Sequence, residues 1–229
     1  MQRFFVWDIP VRVFHWGMVI CVILSFYTMK TAGAPFLFPV ETHAKAGYIL
    51  LGLLFFRWVW GVVGSFHARF ATFIQSPASI WRYSVSVIKG RSKPFIGHNP
   101  LGGIMVMAML LSLTFQGVSG LFLSDDIFFQ GPLYGLFGRD VSRELGSLHY
   151  WNSQLLIGLI VLHLTALVIH RLLGERLVMP MITGRKSVKE APCDAIDQRQ
   201  PGQKQNGNRW LAVTVMIIAA GLSYWLWTL

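Results

Sequence analysis

Cysteine is scarce in this chain. Among 229 residues there are two, Cys21 inside an apolar run and Cys193 in a polar stretch, so neither a disulfide framework nor a cysteine-rich metal site is available. No C-x-x-C-H occurs, which excludes a prosthetic group attached through thioether bonds. Charge is sparse too: Asp, Glu, Lys and Arg make up 13% of the sequence, and only ten residues are acidic. The remainder is dominated by apolar residues, at 54% hydrophobic and a mean hydropathy of +0.51, which rules out a water-soluble globule. The formal charge of +10 does not argue for nucleic acid in such a chain, because cytoplasmic loops of membrane proteins retain Lys and Arg.

Five stretches reach the roughly 20 apolar residues that a hydrocarbon core requires: 12–29, 43–63, 100–123, 147–171 and 210–228. The sequence therefore predicts an all-α integral membrane protein, with the first four spans as one transmembrane bundle and the fifth as an additional C-terminal helix. Residues 1–186 form the bundle domain, 187–209 a polar cytoplasmic linker rich in Gln, Pro, Gly and Asn, and 210–229 the last helix. Between the second and third spans, residues 66–99 alternate apolar and basic side chains and predict a short helix lying on the membrane surface. Asp8 and Pro10 ahead of a retained span do not fit a cleavable signal peptide.

Lys and Arg set the orientation. Arg3 and Arg12, five residues in 64–99 and eight in 171–209 lie on one side, fifteen in all, against Lys30, Lys45, Arg139 and Arg143 on the other. This predicts a cytoplasmic N-terminus and a C-terminus outside. Arg57 is left within the second span.

Polar side chains inside spans are expensive, so the histidines call for an explanation. His149 and His163 are fourteen residues apart on the fourth span, about 21 Å along a helix and on nearly the same face. His43 opens the second span at the outer face, level with His149, and His15 lies near the cytoplasmic end of the first span, level with His163. Each pair joins two different helices at one depth. That is what a b-type haem needs, one neutral imidazole on either side of the iron, and two stacked pairs would carry electrons across a bilayer. Gly47, Gly52, Gly117 and Gly120 would let a flat ring or a backbone approach closely.

The competing readings are weaker for the set than for its members. A lone histidine in a span is more often hydrogen-bonding glue between helices, but four at two matching depths outweigh that. Zinc gathers its ligands at one point, and no such cluster stands in these spans. A proton relay through His163 and His170 would leave the outer pair unexplained. His170 shares the face of His163, and spacing alone does not choose between them. His67 and His98 lie outside the spans on the cytoplasmic side, where they can donate to haem propionates. Arg57, fourteen residues after His43, stands near the inner level, either paired with a propionate or snorkelling to headgroups.

Several segments carry a family resemblance. Val6-Trp7-Asp8-Ile9-Pro10-Val11-Arg12-Val13-Phe14-His15-Trp16 resembles the first-helix signature of the bacterial di-haem b-type cytochromes, the cytochrome b-561 and hydrogenase-type cytochrome b family. His43 to Gly47, Arg57-Trp58, Trp60-Gly61 and His67-Ala68-Arg69-Phe70 resemble its second helix and following loop. Gly97-His98-Asn99-Pro100-Leu101-Gly102 resembles the start of its third helix, and Met181-Ile182-Thr183-Gly184-Arg185-Lys186 its end. The resemblance covers roughly residues 4–186. It implies axial ligands on the first, second and fourth helices, at His15, His43, His149 and His163, and so favours His163 over His170. It also implies two non-covalent haem b groups, a bacterial inner membrane, a quinone pool as exchange partner and a periplasmic redox protein, with a c-type cytochrome the first to consider. The cytochrome subunit of a nickel-iron hydrogenase and a superoxide-oxidising quinone reductase are alternatives within the family, and a non-redox transporter is the alternative outside it.

Overall fold

The computed structural model describes residues 2–30, 39–127, 129–188, 192–194 and 207–229. Five helices in it are long and apolar enough to cross a membrane: α1 (Ile9–Lys30), α2 (Pro39–Val63), α5 (Pro100–Gly120), α6 (Arg139–Leu172) and α8 (Arg209–Thr228). Between them lie a short β1 (Gln2–Phe5), a 3-10 turn (Phe66–Ala68), α3 (Phe70–Phe73), α4 (Pro77–Ile88), α7 (Val178–Thr183) and β2 (Arg185–Val188).

The helices begin where local chemistry allows. Asp8 accepts from Val11 N at 2.9 Å, satisfying a donor of the first turn of α1 that the helix itself leaves open. α2 starts on a proline, which loses nothing at a position whose N–H has no intrahelical partner, and Glu41 pairs with Lys45 one turn on. His43 therefore sits inside α2 rather than at its opening. α6 starts eight residues before the expected 147, where Asp140 occupies the first turn and pairs with Arg143 at 3.4 Å. α4 is a short helix within the segment where one was expected: Ser76 caps it by accepting from Ser79 N, Pro77 opens it, and none of its residues is buried.

The chain divides into two compact units. The first comprises Met1–Val13, Arg57–Ala108 and Val161–Val213. Here β1 and β2 pair antiparallel, from Gln2 opposite Val188 to Phe5 opposite Arg185. Gly184, at φ 77°, ends α7 in the left-handed region, and its carbonyl accepts from Val6 N and Trp7 N. A side chain there would press on the Trp7 carbonyl at 2.8 Å. Asp8 also accepts from Trp60 Nε1 at 2.9 Å, so the start of α1 is tied to the buried end of α2. The linker expected at 187–209 loses its first two residues to β2, and most of the rest falls outside the described residues.

The second unit comprises Phe14–Phe56, Met109–Ile160 and Thr214–Leu229. Small residues bring its helices together. Gly52 of α2 faces the Ala219 carbonyl of α8, so closely that a Cβ would stand 2.6 Å from it. Gly117 of α5 receives Leu51 in the same way, and Gly17 of α1 receives Leu53. α5 and α6 are joined by polar groups as well. Asn152 donates to the Ser112 carbonyl at 3.0 Å and to Gln116 Oε1 at 2.6 Å, and Ser112 Oγ donates back to Asn152 Oδ1 at 2.8 Å.

Candidate functional site

In the second unit, His43 of α2 and His149 of α6 face each other with ring centres 6.3 Å apart and planes inclined at 69°. Each ring is held by its Nδ1. For His43 the partner is the Ser25 carbonyl of α1 at 3.0 Å, and for His149 it is Ser119 Oγ of α5 at 3.0 Å. The carbonyl can only accept, so His43 carries its proton on Nδ1 and presents Nε2 as a lone pair. Ser119 Oγ donates its proton to the Gln116 carbonyl at 3.2 Å, so it accepts from His149 Nδ1, and the neutral ring then bears its lone pair on Nε2. Gly120 lies against His149, where a Cβ would come within 3.4 Å of the ring, while the Cβ position of Gly47, one turn after His43, has open space around it.

His15 belongs to the same unit, half-buried on α1 and edge-on to the Trp16 ring at 5.2 Å. His163 belongs to the first unit, half-buried on α6. His170 is engaged elsewhere: its Nδ1 meets Glu175 Oε2 at 3.1 Å, and Glu175 in turn lies 3.8 Å from Lys186 Nζ. The hydrogen bond from His170 is the main cause that holds the Glu175 carboxyl below the usual range.

Among the described residues, the first unit also collects polar atoms without hydrogen-bond partners. Arg57 is only 3% exposed, its guanidinium lies over the Phe70 ring at 4.7 Å, and Nη1 has no hydrogen-bond partner among the described residues. It is buried rather than snorkelling. His98 packs between Trp7 and Phe73 with ring centres at 4.7 and 4.8 Å, and its Nδ1 is enclosed and unpartnered. Burial, reinforced by the positive fields of Arg57, His67, His163 and Lys186, pushes His98 down to about 3, so it is neutral at physiological pH. His67 lies nearby, 6% exposed, with Nδ1 3.9 Å from Asp194 Oδ2 and Nε2 unpartnered.

Five helices long and apolar enough to cross a membrane, two of them bringing the imidazoles of His43 and His149 face to face, define a polytopic membrane protein with a histidine pair able to supply nitrogen ligands. The chain belongs to the prokaryotic cytochrome b561 family, whose sequence profile matches residues 6–184. It is similar to the probable Ni/Fe-hydrogenase B-type cytochrome subunit of Rhizobium leguminosarum bv. viciae, 24% identical over 217 residues covering 82% of this chain and 91% of the relative. The protein of the same name from Azotobacter vinelandii is 25% identical over 219 residues, covering 81% and 89%. The Ni/Fe-hydrogenase 1 counterpart of Escherichia coli (strain K12) is 25% identical over 170 residues, covering 65% and 69%. No solved structure matches the chain.

The family is one of membrane b-type cytochromes, and the residues present fit a b-type haem. An imidazole nitrogen sits about 2 Å from a metal it binds, so two rings sharing one iron bring their centres about 6 Å apart, as His43 and His149 do. Their Nδ1 hydrogen bonds orient both rings in the way that supporting groups orient metal-binding histidines. Among the described residues no group of three or more His, Cys, Asp or Glu is placed to hold a metal ion. Two facing nitrogens suit a group that brings its own equatorial ligands. The Ser119 and Ser25 contacts were not visible in the sequence, since a backbone carbonyl leaves no pattern and one serine among the small residues of α5 is indistinguishable from packing.

Proposed function

We propose that this chain is an electron-transfer cytochrome of a bacterial inner membrane, moving electrons between the quinone pool and a periplasmic redox partner through two bis-histidine haems. Residues 1–186 form the haem-bearing part. His43 and His149 hold the outer haem, and His15 and His163 the inner one. When bound, each haem supplies a one-electron couple between ferric and ferrous iron. The protein's part is to keep the imidazoles neutral and oriented, exclude water and neutralise the haem carboxylates.

The observation that carries this reading is the facing pair His43 and His149, each with Nδ1 already bonded and Nε2 left to bind iron. Arg57 Nη1 and His98 Nδ1, without hydrogen-bond partners among the described residues, supply donors for carboxylates in the first unit, where a buried donor left unpaired is costly. Fifteen cationic residues against four set the N-terminus in the cytoplasm and the C-terminus in the periplasm.

The printed names of the relatives favour a second reading, in which the chain is the cytochrome subunit of a nickel-iron hydrogenase. Both are tested on the detergent-solubilised protein by haem content and by what co-purifies. His43→Ala and His149→Ala should each remove the same one of two haem equivalents, and His15→Ala and His163→Ala the other, read by haem extraction and redox titration. Loss of one equivalent in His43→Ala with none in His149→Ala would break the pairing. A nickel-iron subunit in the purified complex would select the second reading.

A further inference from the structure

None of the 12 residues of α4 is buried, although a helix of that length is marginal in water and ordinarily depends on a packed face. One side of it does meet the protein. Ser79, Arg82 and Tyr83 line a cavity of the first unit, and the Tyr83 ring meets Phe95 edge-on at 5.5 Å. The other side is apolar and largely bare. Ala78, Trp81, Val85 and Ile88 follow the i, i+3, i+7, i+10 spacing of a single stripe, with Trp81 71% and Ile88 86% exposed.

The turn that ends α4 gathers charge beside this stripe. Gly90, at φ 65°, donates to the Val87 carbonyl at 2.9 Å, and Arg91 N donates to the Ser86 carbonyl at 2.9 Å, the pair of bonds that closes a helix through a left-handed residue. Lys89, Arg91 and Lys93 flank the turn, all exposed, and among the described residues none of them forms an ion pair. No Asp or Glu occurs between Glu41 and Asp125. The acidic groups that the fold brings near α4 are Asp194, on the same cavity wall, and Glu175, whose charge acts on Tyr83. Both are engaged: Asp194 accepts from Ile96 N and Gly97 N, and Glu175 meets His170 and lies 3.8 Å from Lys186. Cations at a helix C-terminus also complement its dipole, but that effect fades within the last turn, short of Lys93, and leaves the stripe bare.

We propose that the outer side of α4, together with Lys89, Arg91 and Lys93, is a docking surface for anionic phospholipid, with the stripe seated among the acyl chains and the three cations on the headgroup phosphates. The surface is independent of the electron-carrier reading. α4 lies between the end of α2 and the start of α5, both long and apolar enough to span, and this places it at headgroup level. Trp81 suits that level, where an indole ring is half apolar and half wet. The charge selects the lipid. A zwitterionic headgroup balances its phosphate with its own cation, whereas a lipid of net negative charge gains from three cations that have no acidic partner. Arg82, turned to the cavity and donating to Ser79 Oγ at 3.3 Å, is not one of the three.

The test places the purified haem-loaded chain in nanodiscs of phosphatidylcholine, alone or with an equal part of phosphatidylglycerol, and reads amide hydrogen exchange over residues 78–93. Exchange should be about tenfold or more slower with phosphatidylglycerol, since each cation near an anionic surface is worth roughly fivefold. Added salt should erode the difference. Lys89→Gln, Arg91→Gln and Lys93→Gln together should abolish it, and Trp81→Ser should speed exchange in both lipids, with the haem spectrum native in each variant. Equal exchange of the native chain in the two lipids, or a difference that survives the triple substitution, would overturn the assignment. Exchange as fast in both lipids as in an unstructured peptide would overturn it as well and point to a protein as the cover of α4.

Discussion

At the scale of single residues, the outer site proposed above would depend on groups that do not touch the metal. Ser119 Oγ holds His149 Nδ1 at 3.0 Å, and the Ser25 carbonyl holds His43 Nδ1 at the same distance. Removing such a supporting bond typically costs 10- to 100-fold in metal affinity. Ser119→Ala should therefore lower haem retention at the outer site about tenfold or more and shift the outer midpoint potential, with the inner one unmoved in the same redox titration. Two unshifted potentials at full haem content would show that packing alone orients His149. The proximity of the His43 and His149 rings was legible in the sequence because depth in a membrane can be counted from span ends. Its supporting bonds were not, because they join helices whose rotation about their own axes no spacing rule specifies. Arg57 was legible as an anomaly only; its burial against Phe70 needed the fold of residues 66–73.

At the scale of elements, apolar length located all five long helices, while their ends shifted by as many as eight residues where polar first turns extend α2 and α6 beyond the greasy runs. The β1–β2 pair was not foreseen. Its strands are four residues each and lie at opposite ends of the matched region, and pairing between distant short strands leaves no local signal. The last helix acquires a clearer part. Ala212, Val215, Ala219 and Leu226 are buried along one stripe of α8, and Gly52 of α2 meets the Ala219 carbonyl and Ser223. From Thr214 onward α8 is thus packed into the second unit rather than left as a bare anchor. Gly52→Ala would force this contact apart, and overpacking of that kind costs about 1–3 kcal/mol. Its thermal midpoint in detergent should fall by several degrees. Gly221→Ala, on α8 with open space around the added methyl, should hold or gain stability. Equal midpoints for the two variants would refute the packing role of Gly52.

At the scale of the whole molecule, the titratable groups outside the spans give the fold a one-sided dependence on pH. His98 and His67 have folded values below the ordinary 6.5, both lowered first by burial. As pH falls below about 6.5 the unfolded chain takes up protons at these positions that the folded chain does not, so stability declines toward acid. Glu175 acts in the same direction at lower pH. Its folded value is held below 4.5, chiefly by His170, so the stability it contributes is present above 4.5 and lost as pH falls through the lower folded value. Lys186, lowered from 10.5 by burial, also makes the unfolded state the better proton binder, but only in the alkaline range. Thermal unfolding of the haem-loaded protein in detergent, followed by far-ultraviolet dichroism, should give a midpoint that is nearly level between pH 7 and 8. The midpoint should then drop steadily from about pH 6.5 to 4. His98→Gln, which cannot take up a proton in either state, should flatten the upper part of that decline, while His170→Gln should weaken the lower part by freeing Glu175 to titrate normally. A midpoint constant down to pH 4.5 in the native chain would show that these histidines stay accessible to protons in the folded state, against the burial that encloses them in the first unit.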